Sequence, residues 1–252
     1  MLKEYMLEDR VAIVTGAGRG IGLSIAREFG RAGARVVVAD VRGDLADRAA
    51  ADLASNSITA VGAEVDVSSA SSVRSMVGQV VDRFGRVDIL VNNAGIHPFT
   101  AFEDVTEDEW TRVLDVNLKG MFLCSQAVLP AMKERGGGKI LNIASMAGRT
   151  GGKAASVHYT ASKAGVMGIT RSMAMHLGKY GIRVNAIAPG IIQTEMTASW
   201  SEETMSDFLK QIPVGRLGIP DDIAKAAVFL CSQAADYLTG VVLDVTGGLV
   251  MS

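Results

Sequence analysis

The sequence predicts an α/β protein with a doubly wound, seven-stranded parallel sheet and helices on both faces of the sheet. Three observations lead to this fold class. Short apolar runs alternate with segments of helical period along the whole chain, which is the order of a parallel sheet with crossover helices. The apolar runs are continuous, as in strands that are covered on both sides. A glycine-rich segment, residues 16–22, connects the first apolar run to the first helical segment.

The strands are expected where several apolar residues, many of them β-branched, follow one another. In chain order they occupy residues 11–15, 35–39, 58–63, 87–91, 139–143, 182–187 and 241–245. The helices are expected where apolar residues recur at helical spacing between glycine or acidic boundaries. They occupy residues 23–29, 45–53, 73–84, 110–129, 159–177 and 221–230. Gly30 and Gly33 should end the first helix, Gly85 should end the third, and residues 190–220 should be mainly irregular.

Composition narrows the class of protein. The chain has 252 residues, of which 48% are hydrophobic, and a formal net charge of -2. This length suits one domain over residues 1–252, and the balanced charge indicates neither a nucleic-acid-binding nor a membrane-surface protein. The sequence contains no signal-peptide pattern and no membrane-spanning run, so a cytoplasmic location is expected. Cys124 and Cys231 lie in apolar helical patterns and should be small buried side chains, with a disulfide as the lesser alternative.

The turn after the first strand reads Thr-Gly-Ala-Gly-Arg-Gly-Ile-Gly, which is T-G-x-x-x-G-x-G and not G-x-G-x-x-G. Gly16, Gly20 and Gly22 let the chain turn sharply and bring backbone N–H groups close to a pyrophosphate. Arg19 and Ile21 lie in the same turn, at the amino end of the predicted helix, whose dipole favours an anion. The sequence therefore predicts a dinucleotide-binding loop, and a plain strand-to-helix turn is the alternative.

Acidic residues follow the second and third strands. A carboxylate at Asp40 can accept hydrogen bonds from the adenosine ribose and repels a 2′-phosphate, which favours NAD over NADP. Arg19 and Arg42 are basic residues that argue for NADP instead. Asp66, with Val67 beside it, is expected to accept from the adenine amino group, to cap the next helix, or to do both.

Polar side chains also mark the ends of the later strands. Ser145 follows the fifth strand, and Tyr159 and Lys163 begin the next helix, one turn apart on one face. A lysine cation beside a phenol should lower the pKa of the tyrosine from its usual value of about 10, so that it can exchange a proton near neutral pH. Open α/β sheets bind ligands at the carboxyl ends of their strands, so these residues should face the same cleft as the glycine-rich turn.

Together these motifs resemble those of the short-chain dehydrogenase/reductase family of Rossmann-fold oxidoreductases, over nearly the whole chain. The resemblance implies that Tyr159 is the general acid/base, that Ser145 stabilises the substrate oxygen, and that Lys163 binds the nicotinamide ribose. It also implies that Asn117 holds a water linking Lys163 to solvent. The motifs that carry it are the glycine-rich turn, Asp66-Val67, Asn92-Asn-Ala-Gly95, Asn117, Ser145, Tyr159-x-x-x-Lys163, Asn185 and Pro189-Gly190.

The resemblance also implies the cofactor contacts. Thr194 should meet the nicotinamide amide, and the turn after the fourth strand should line the adenosine ribose. No metal site is expected, because the histidines show no metal-ligand spacing. The full implied cofactor set is Gly16, Arg19, Gly20, Ile21, Gly22, Asp40, Asp66, Val67, Asn93, Ala94, Gly95, Tyr159, Lys163, Pro189, Gly190, Ile192 and Thr194.

The substrate is less constrained than the reaction. The expected pocket residues are His97, Met146, Ile191 and Trp200, and a structural role is equally consistent for His97. Ser145 and Tyr159 lie slightly farther apart than is usual in the family, so residues 151–155 should loop out at the pocket wall.

The segment after Asn185 most resembles 3-oxoacyl-[acyl-carrier-protein] reductases, which implies a 3-oxoacyl thioester substrate and acyl carrier protein as a partner. An NAD-dependent sugar, polyol or secondary-alcohol dehydrogenase is the alternative, and a non-catalytic NAD-binding regulatory protein is a second alternative. The family further implies a homotetramer or homodimer that pairs the two long helices.

Overall fold

The structure is a computed structural model that describes residues 3–152, 155–195, 197 and 202–251. Its strands form one parallel sheet in the order β3-β2-β1-β4-β5-β6-β7. The prediction of a doubly wound, seven-stranded parallel sheet is therefore confirmed. The strands are β1 (Val11–Thr15), β2 (Arg35–Asp40), β3 (Ala60–Glu64), β4 (Ile89–Asn92), β5 (Gly138–Ile143), β6 (Ile182–Pro189) and β7 (Val242–Val245).

Helices pack on both faces of this sheet. They are α1 (Gly20–Arg31), α2 (Gly43–Ser55), α3 (Ala70–Phe84), α4 (Glu107–Leu114), α5 (Gly120–Glu134), α6 (Ala147–Thr150), α7 (Val157–Leu177), α8 (Glu202–Leu209) and α9 (Pro220–Cys231). A π-helical turn, Asp115–Lys119, joins α4 to α5. Short 3-10 turns occur at Lys3–Tyr5, Phe102–Asp104, Gly178–Tyr180 and Gln233–Ala235.

Each face of the sheet has its own apolar core. Helices α1, α2 and α9 pack over Val14 and Val36 on one face, and α3, α5 and α7 pack over Ile13 and Val37 on the other. Adjacent residues of a strand point to opposite faces, yet all four of these valine and isoleucine side chains are fully buried. The continuous apolar strands of the sequence are therefore explained by a sheet that is covered on both sides.

Gly30 does not end the first helix, which corrects the prediction. It lies inside α1, where a Cβ would come within 2.2 Å of Ile58 Cγ2. This glycine lets α1 pack closely against the chain before β3, and the left-handed turn comes later, at Gly33 with φ +97°. Gly85 ends α3 in the left-handed conformation, as predicted, with φ 70°.

Two more segments differ from the prediction. The helix expected over residues 110–129 is a longer run in which the π-helical turn separates α4 from α5. The segment expected to be irregular, residues 190–220, contains α8, whose Met205 and Phe208 pack onto the cluster of Ile191, Ile212 and Leu217. The packing of α8 depends on contacts with other segments of the chain, which the apolar pattern of the sequence does not record.

The carboxyl ends of the strands meet at one edge of the sheet, and β1 and β4 are neighbours where the strand order reverses. The opposite edge borders a cavity of about 600 Å³. Its charged lining includes pairs such as Arg86 with Asp88 and Lys139 with Asp236, and it contains none of the predicted site residues. A ligand site is therefore expected at the carboxyl edge. Within the described ranges, no helix combines the length and apolar character needed to cross a bilayer.

Candidate active site

The glycine-rich turn between β1 and α1 is packed too closely for a side chain at two of its glycines. Gly16 has φ +61°, and a Cβ on it would lie 2.8 Å from Ala94 Cα. A Cβ on Gly22 would lie 2.4 Å from the Gly16 carbonyl oxygen. Gly20 also has a left-handed φ of +58°, although the nearest atom to its Cβ would be the Thr194 methyl carbon, at 3.9 Å. Close packing therefore requires glycine at positions 16 and 22, and backbone conformation favours it at position 20.

Two polar side chains fix this turn to the end of β4. Thr15 Oγ1 donates to the Val91 carbonyl at 3.2 Å and accepts from the N–H groups of Asn93 and Ala94, both at 3.1 Å. Asn93 Nδ2 donates to the carbonyl oxygens of Thr15 and Gly16, both at 2.9 Å. The predicted cofactor residues Asn93 and Ala94 therefore hold the turn in place.

The backbone of the turn suits a pyrophosphate. Helix α1 begins at Gly20, and its N-cap residue, Arg19, makes no side-chain cap hydrogen bond. The first N–H groups of the helix, on Gly20, Ile21 and Gly22, are therefore not satisfied by a capping side chain. These donors and the helix dipole together favour an anion, so the residues present fit a dinucleotide cofactor.

Asp40 ends β2 beside this turn and is only 9% exposed. Its Oδ2 accepts from Gly18 N and its Oδ1 from Arg42 N, both at 3.1 Å. Each carboxylate oxygen has a second lone pair, so the group keeps the capacity to accept a ribose hydroxyl. The structure thus brings Asp40 to the glycine-rich turn, as predicted.

Asp66 lies after β3 and does not cap the following helix, so that alternative is wrong. The N-cap of α3 is Ser69, whose side chain accepts from Ser72 N. Asp66 Oδ1 instead accepts from the backbone N–H and the hydroxyl of Ser68, at 2.9 and 2.6 Å. Val67 is 7% exposed, and its side chain packs in the core.

The chain after β6 closes over the glycine-rich turn. Arg19 forms an ion pair with Glu195, next to Thr194. Pro189 is buried at the end of β6, and a Cβ on Gly190 would lie 2.8 Å from Thr246 Cα. Ile192 is 5% exposed, and its side chain packs in the core.

Strand β5 and helix α7 bring Ser145, Tyr159 and Lys163 together. Lys163 is 5% exposed, and its Nζ donates to the Ile143 carbonyl oxygen at 2.8 Å. The same Nζ lies 5.7 Å from the centroid of the Tyr159 ring. Ser145 hydrogen-bonds the Tyr159 side chain, and Ser145 Oγ also accepts from Ala147 N at 3.1 Å. These three predicted residues therefore form one cluster.

Burial is the main influence on both ionisable groups of this cluster. It raises the pKa of Tyr159, and the hydrogen bond with Ser145 opposes that shift only in part. Burial also lowers the pKa of Lys163 from 10.5 to about 8. The predicted lowering of the Tyr159 pKa is therefore wrong for this structure, because desolvation of the phenolate outweighs the favourable contacts.

Asn117 lies in the π-helical turn and is 2% exposed. Its Oδ1 accepts from Ile96 N at 2.8 Å, and its Nδ2 donates to Ile96 O at 2.9 Å and to Ser162 Oγ at 3.1 Å. A Cβ on Gly95 would lie 3.3 Å from Asn117 Oδ1 and 3.6 Å from Lys163 Nζ. Asn117 and Lys163 thus flank Gly95, and the water relay stays a prediction.

His97 stacks on the ring of Tyr159. The two ring centroids are 3.9 Å apart with an interplanar angle of 18°, and the Phe99 ring lies 4.2 Å from His97 by the same measure. His97 Nε2 is buried and has no hydrogen-bond partner among the described residues. Burial is the main cause that lowers the pKa of His97 to about 4, and electrostatic interactions with neighbouring groups, including the Lys163 cation, act in the same direction. The imidazole is therefore neutral at physiological pH.

The remaining predicted pocket residues are apolar where the structure describes them. Ile191 is 6% exposed, and Met146 packs against its cluster. Trp200 lies outside the described residues. Arg149 lies in α6, between Ser145 and Tyr159 in the chain, and it donates to Asp244 Oδ1 at 2.8 Å and to Val242 O at 3.0 Å.

The connection from Ser145 to Tyr159 contains α6 and then two left-handed glycines. Gly151 has φ +79° and Gly152 has φ +53°. The expected outward loop over residues 151–155 includes Lys153 and Ala154, which lie outside the described part of the chain. Positive φ values at consecutive residues favour glycine, which explains the Gly-Gly pair at this position.

The sequence analysis did not predict the contacts that three residues make in the site. Thr15 joins the glycine-rich turn to β4, and a polar residue ending a buried strand was the signal for it. Glu109 and His158 contact each other, with His158 Nε2 2.7 Å from Glu109 Oε1. The pattern Thr106-x-x-Glu109 predicts a cap for a helix, but it does not predict the partner of the carboxylate.

The cysteines and acidic residues do not form a metal site within the described ranges, where no group of three or more potential ligands occurs. Cys124 and Cys231 are free and buried, which confirms that they are small core side chains. Burial raises the pKa of each thiol to about 12, so both are unreactive at neutral pH.

Comparison with known proteins shows the family to which the chain is related. Residues 16–250 match a family model described as enoyl-(acyl carrier protein) reductase. The 3-oxoacyl-[acyl-carrier-protein] reductase of Aquifex aeolicus is 40% identical over 98% of this chain and 99% of its own length.

Two solved structures have the same fold and differ in their bound cofactor. A 7α-hydroxysteroid dehydrogenase complexed with NADH and 7-oxo glycochenodeoxycholic acid has a TM-score of 0.94 and 39% identity, covering 99% of this chain and 98% of that one. A gluconate 5-dehydrogenase from Burkholderia cenocepacia in complex with NADP and tartrate has a TM-score of 0.94 and 36% identity, covering 98% of both chains. These relatives act on different substrates, so they indicate a reaction class and a nicotinamide cofactor but no single substrate.

Proposed function

The chain belongs to the short-chain dehydrogenase/reductase family, and we propose that it is an NAD(H)-dependent oxidoreductase whose preferred substrate is a 3-oxoacyl thioester. One observation carries this proposal. The uncapped glycine-rich turn at β1 and the cluster of Ser145, Tyr159 and Lys163 at β5 lie at the same carboxyl edge of the sheet. A dinucleotide bound at the turn can therefore reach a substrate that contacts Tyr159.

The proposed mechanism divides the work between the cofactor and the side chains. When bound, the nicotinamide supplies or accepts the hydride. Tyr159 gives its phenolic proton to the carbonyl oxygen in reduction and takes a proton from the alcohol in oxidation. Ser145 donates a hydrogen bond to the same oxygen and stabilises the charge that develops there.

Lys163 supports the proton transfer. Its pKa of about 8 leaves it mainly protonated at neutral pH, so its charge stabilises the phenolate that forms when Tyr159 loses its proton. Lys163 also binds the nicotinamide ribose in this proposal. The proton returns to Tyr159 through Lys163 and a water held beside Asn117.

NAD is the proposed cofactor because of the charges around Asp40. Its carboxylate lies at the end of β2, held by Gly18 N and Arg42 N, where it repels a 2′-phosphate. Arg19, which could have bound that phosphate, is paired with Glu195. Arg42 stays exposed and is the remaining argument for NADP.

A 3-oxoacyl thioester suits the apolar side of the pocket. Met146 and Ile191 belong to an apolar cluster, and Arg149 is held by Asp244 and Val242 instead of facing a substrate carboxylate. An uncharged acyl chain is therefore favoured over a small anion. Acyl carrier protein is the partner that this substrate suggests.

A polyol or other hydroxylated alcohol is the second candidate, and His97 favours it. The neutral imidazole lies against Tyr159, and its Nε2 has no partner in the described part of the chain, so it can exchange a hydrogen bond with a substrate hydroxyl near the reacting carbon. A 3-oxoacyl thioester has no hydroxyl at that place.

A substrate panel tests these candidates. We expect acetoacetyl-CoA to be reduced with NADH faster than sorbitol or cyclohexanol is oxidised with NAD. The matched variant His97→Phe keeps a ring on Tyr159 but removes the nitrogen, so it should raise KM for a polyol and leave KM for acetoacetyl-CoA nearly unchanged. NADH binding without turnover of any panel member would refute catalysis and favour a non-catalytic NAD-binding protein.

We also propose that residues 1–252 act as one cytoplasmic domain in a homotetramer or homodimer. Phe122 on α5 and Met175 on α7 are 43% and 85% exposed, which suits contact with a second copy. Met121 and Met167, which lie on the same two helices, are buried in the core of the chain itself. Light scattering at several concentrations would test this assembly.

A further inference from the structure

Helix α7 carries Tyr159 in its first turn, but its N-cap residue does not cap it. Ser156 makes no side-chain cap hydrogen bond, and its Oγ donates instead to the Pro98 carbonyl at 2.8 Å. The first backbone hydrogen bond of the helix runs from Thr160 N to Ser156 O, at 3.0 Å. The N–H of Tyr159 therefore needs a partner from outside the helical ladder.

That partner is the side chain of the preceding residue. Tyr159 N donates to His158 Nδ1 at 3.0 Å, and the His158 side chain is fully buried. Because Nδ1 accepts, the ring proton is on Nε2, which lies 2.7 Å from Glu109 Oε1 and donates to it. These two bonds assign the tautomer of a neutral imidazole.

Glu109 is itself held in place. It lies in the first turn of α4, where its N–H donates to the Thr106 hydroxyl at 3.2 Å. Hydrogen bonds with Thr100 and His158 lower the pKa of Glu109, so the carboxylate accepts at neutral pH. A hydrogen-bonded chain thus runs from α4 through Glu109 and His158 to the backbone of Tyr159.

We propose that Glu109 and His158 are a positioning pair that fixes the Tyr159 phenol relative to Ser145 and Lys163. The inference rests on the proposed function, in which Tyr159 transfers the proton. Neither residue contacts the reacting atoms in this role. Glu109 fixes the ring orientation of His158, and His158 then satisfies the Tyr159 N–H.

The position of Lys163 does not depend on this pair. Lys163 is anchored one turn further on, through Nζ to the Ile143 carbonyl. Loss of the cap loosens the first turn of α7, so Tyr159 moves while Lys163 stays. Proton transfer should therefore be slower, while cofactor binding persists. The hydrogen bond from Ser145, which lowers the pKa of Tyr159, should also weaken.

Substitutions at His158 separate the two hydrogen bonds. His158→Asn keeps an acceptor near the Nδ1 position but cannot reach Glu109. His158→Gln keeps a donor near the Nε2 position and loses the acceptor, and His158→Phe loses both. Glu109→Gln keeps an acceptor without the charge, and Glu107→Gln is the matched control, because Glu107 is exposed in the same helical turn.

The experiment measures kcat, KM, NADH affinity, thermal midpoint and the pH profile of kcat with acetoacetyl-CoA and NADH. We expect His158→Phe to lower kcat by roughly 10- to 100-fold, the scale of a small misplacement of a reacting group. His158→Asn and Glu109→Gln should give smaller losses, and Glu107→Gln none. NADH affinity should be unchanged, and the limb of the kcat profile that reports Tyr159 should move to higher pH.

Two outcomes overturn the positioning role. One is a lowered thermal midpoint with wild-type kcat and pH profile in His158→Phe. If that variant does not fold, wild-type kcat and pH profile in both His158→Asn and Glu109→Gln overturn it as well. Failure of the proposed function looks different: the wild type then turns over no panel substrate, or Tyr159→Phe retains activity.

Discussion

The two parts of the carboxyl edge are built from different chemical groups. Around the glycine-rich turn, the groups that face a cofactor are mainly backbone N–H groups, and Gly16 and Gly22 leave no room for side chains. Around Tyr159 they are buried side chains that contact one another, with Lys163 5% exposed and Asn117 2% exposed. The first region requires glycines that have no side chain, and the second requires particular buried side chains. Substitutions should therefore damage the two regions in different ways.

The largest expected effect separates chemistry from binding. Tyr159→Phe removes the proton donor but keeps the ring that stacks on His97. We expect a loss in kcat of at least about 10³-fold, within the range of general acid–base catalysis, with NADH affinity nearly unchanged. Stopped-flow turnover and NADH fluorescence titration measure the two quantities. The control is Tyr180→Phe, which lies far from the site. Retained turnover in Tyr159→Phe would contradict the assignment of Tyr159 as the general acid/base.

The reverse effect is expected at the glycine-rich turn. A Cβ at Gly22 would meet the Gly16 carbonyl at 2.4 Å and Asn93 Nδ2 at 2.5 Å, so Gly22→Ala must open the turn. Overpacking of this kind costs about 1–3 kcal/mol, which should raise KM for NADH by roughly 10- to 100-fold with a smaller change in kcat.

Gly78→Ala is the matched control for that substitution. Gly78 lies within α3, and a Cβ there would have nothing within 4 Å. Its KM for NADH should equal that of the wild type. Equal KM values for Gly22→Ala and the wild type would show that the turn does not contact the cofactor.

Asp40 is the exception within the backbone-built region, because it acts through a side chain. Asp40→Ser removes a charged acceptor, worth about 1.5–3 kcal/mol, and should shift the ratio of kcat/KM values for NADPH and NADH by roughly 10- to 100-fold toward NADPH. Asp66→Ser, at the end of the next strand, should weaken both cofactors alike. An unchanged ratio in Asp40→Ser would contradict the NAD assignment.

The smallest expected effect concerns stability and pH. The pKa of Lys163 is about 8 in the folded protein, and it takes its ordinary value of 10.5 in the unfolded chain. Between pH 8 and pH 10.5 the unfolded chain therefore binds more protons than the folded protein. The free energy of unfolding should therefore gain a contribution from Lys163 as pH rises through this window, with a slope of at most about 1.4 kcal/mol per pH unit. That contribution is lost as pH falls to 8.

Urea unfolding at several pH values between 7.5 and 10.5 gives the free energy of unfolding as a function of pH. The contribution of Lys163 is the difference in the slope of that free energy against pH between the wild type and Lys163→Met. The exposed Lys225 on α9 supplies the control, Lys225→Met, which should keep the wild-type slope. Identical slopes in all three proteins would mean that Lys163 is not desolvated in the folded state.

Much of the fold could be predicted because it depends on local pattern. Continuous apolar runs and helical periods identify the strands and most helices, and the spacing of Gly16, Gly20 and Gly22 identifies the turn between β1 and α1. Gly30 shows the limit of this reasoning. Its reason lies at Ile58, a contact between segments that are distant in sequence, so a local rule wrongly makes it a helix end.

The side-chain-built region was predictable only in part. Ser145, Tyr159 and Lys163 could be placed together because β5 leads directly into the connection to α7. The stack of His97 on Tyr159 and the contact of Glu109 with His158 require elements from the β4 crossover to pack on α7. The pKa of Tyr159 was predicted in the wrong direction because burial, which the sequence does not record at single atoms, outweighs its polar contacts.

The π-helical turn at Asp115–Lys119 restricts which insertions and deletions this region tolerates. Each residue of an α-helix advances the side chains by about 100° around the axis, and a π-helical turn adds one residue to that count. The turn therefore sets the angle between Glu109, which contacts His158, and Asn117, which contacts Ile96. Deleting one residue there would restore a regular helix and would rotate either Glu109 or Asn117 away from its partner. A relative with an uninterrupted helix should therefore keep only one of the two contacts.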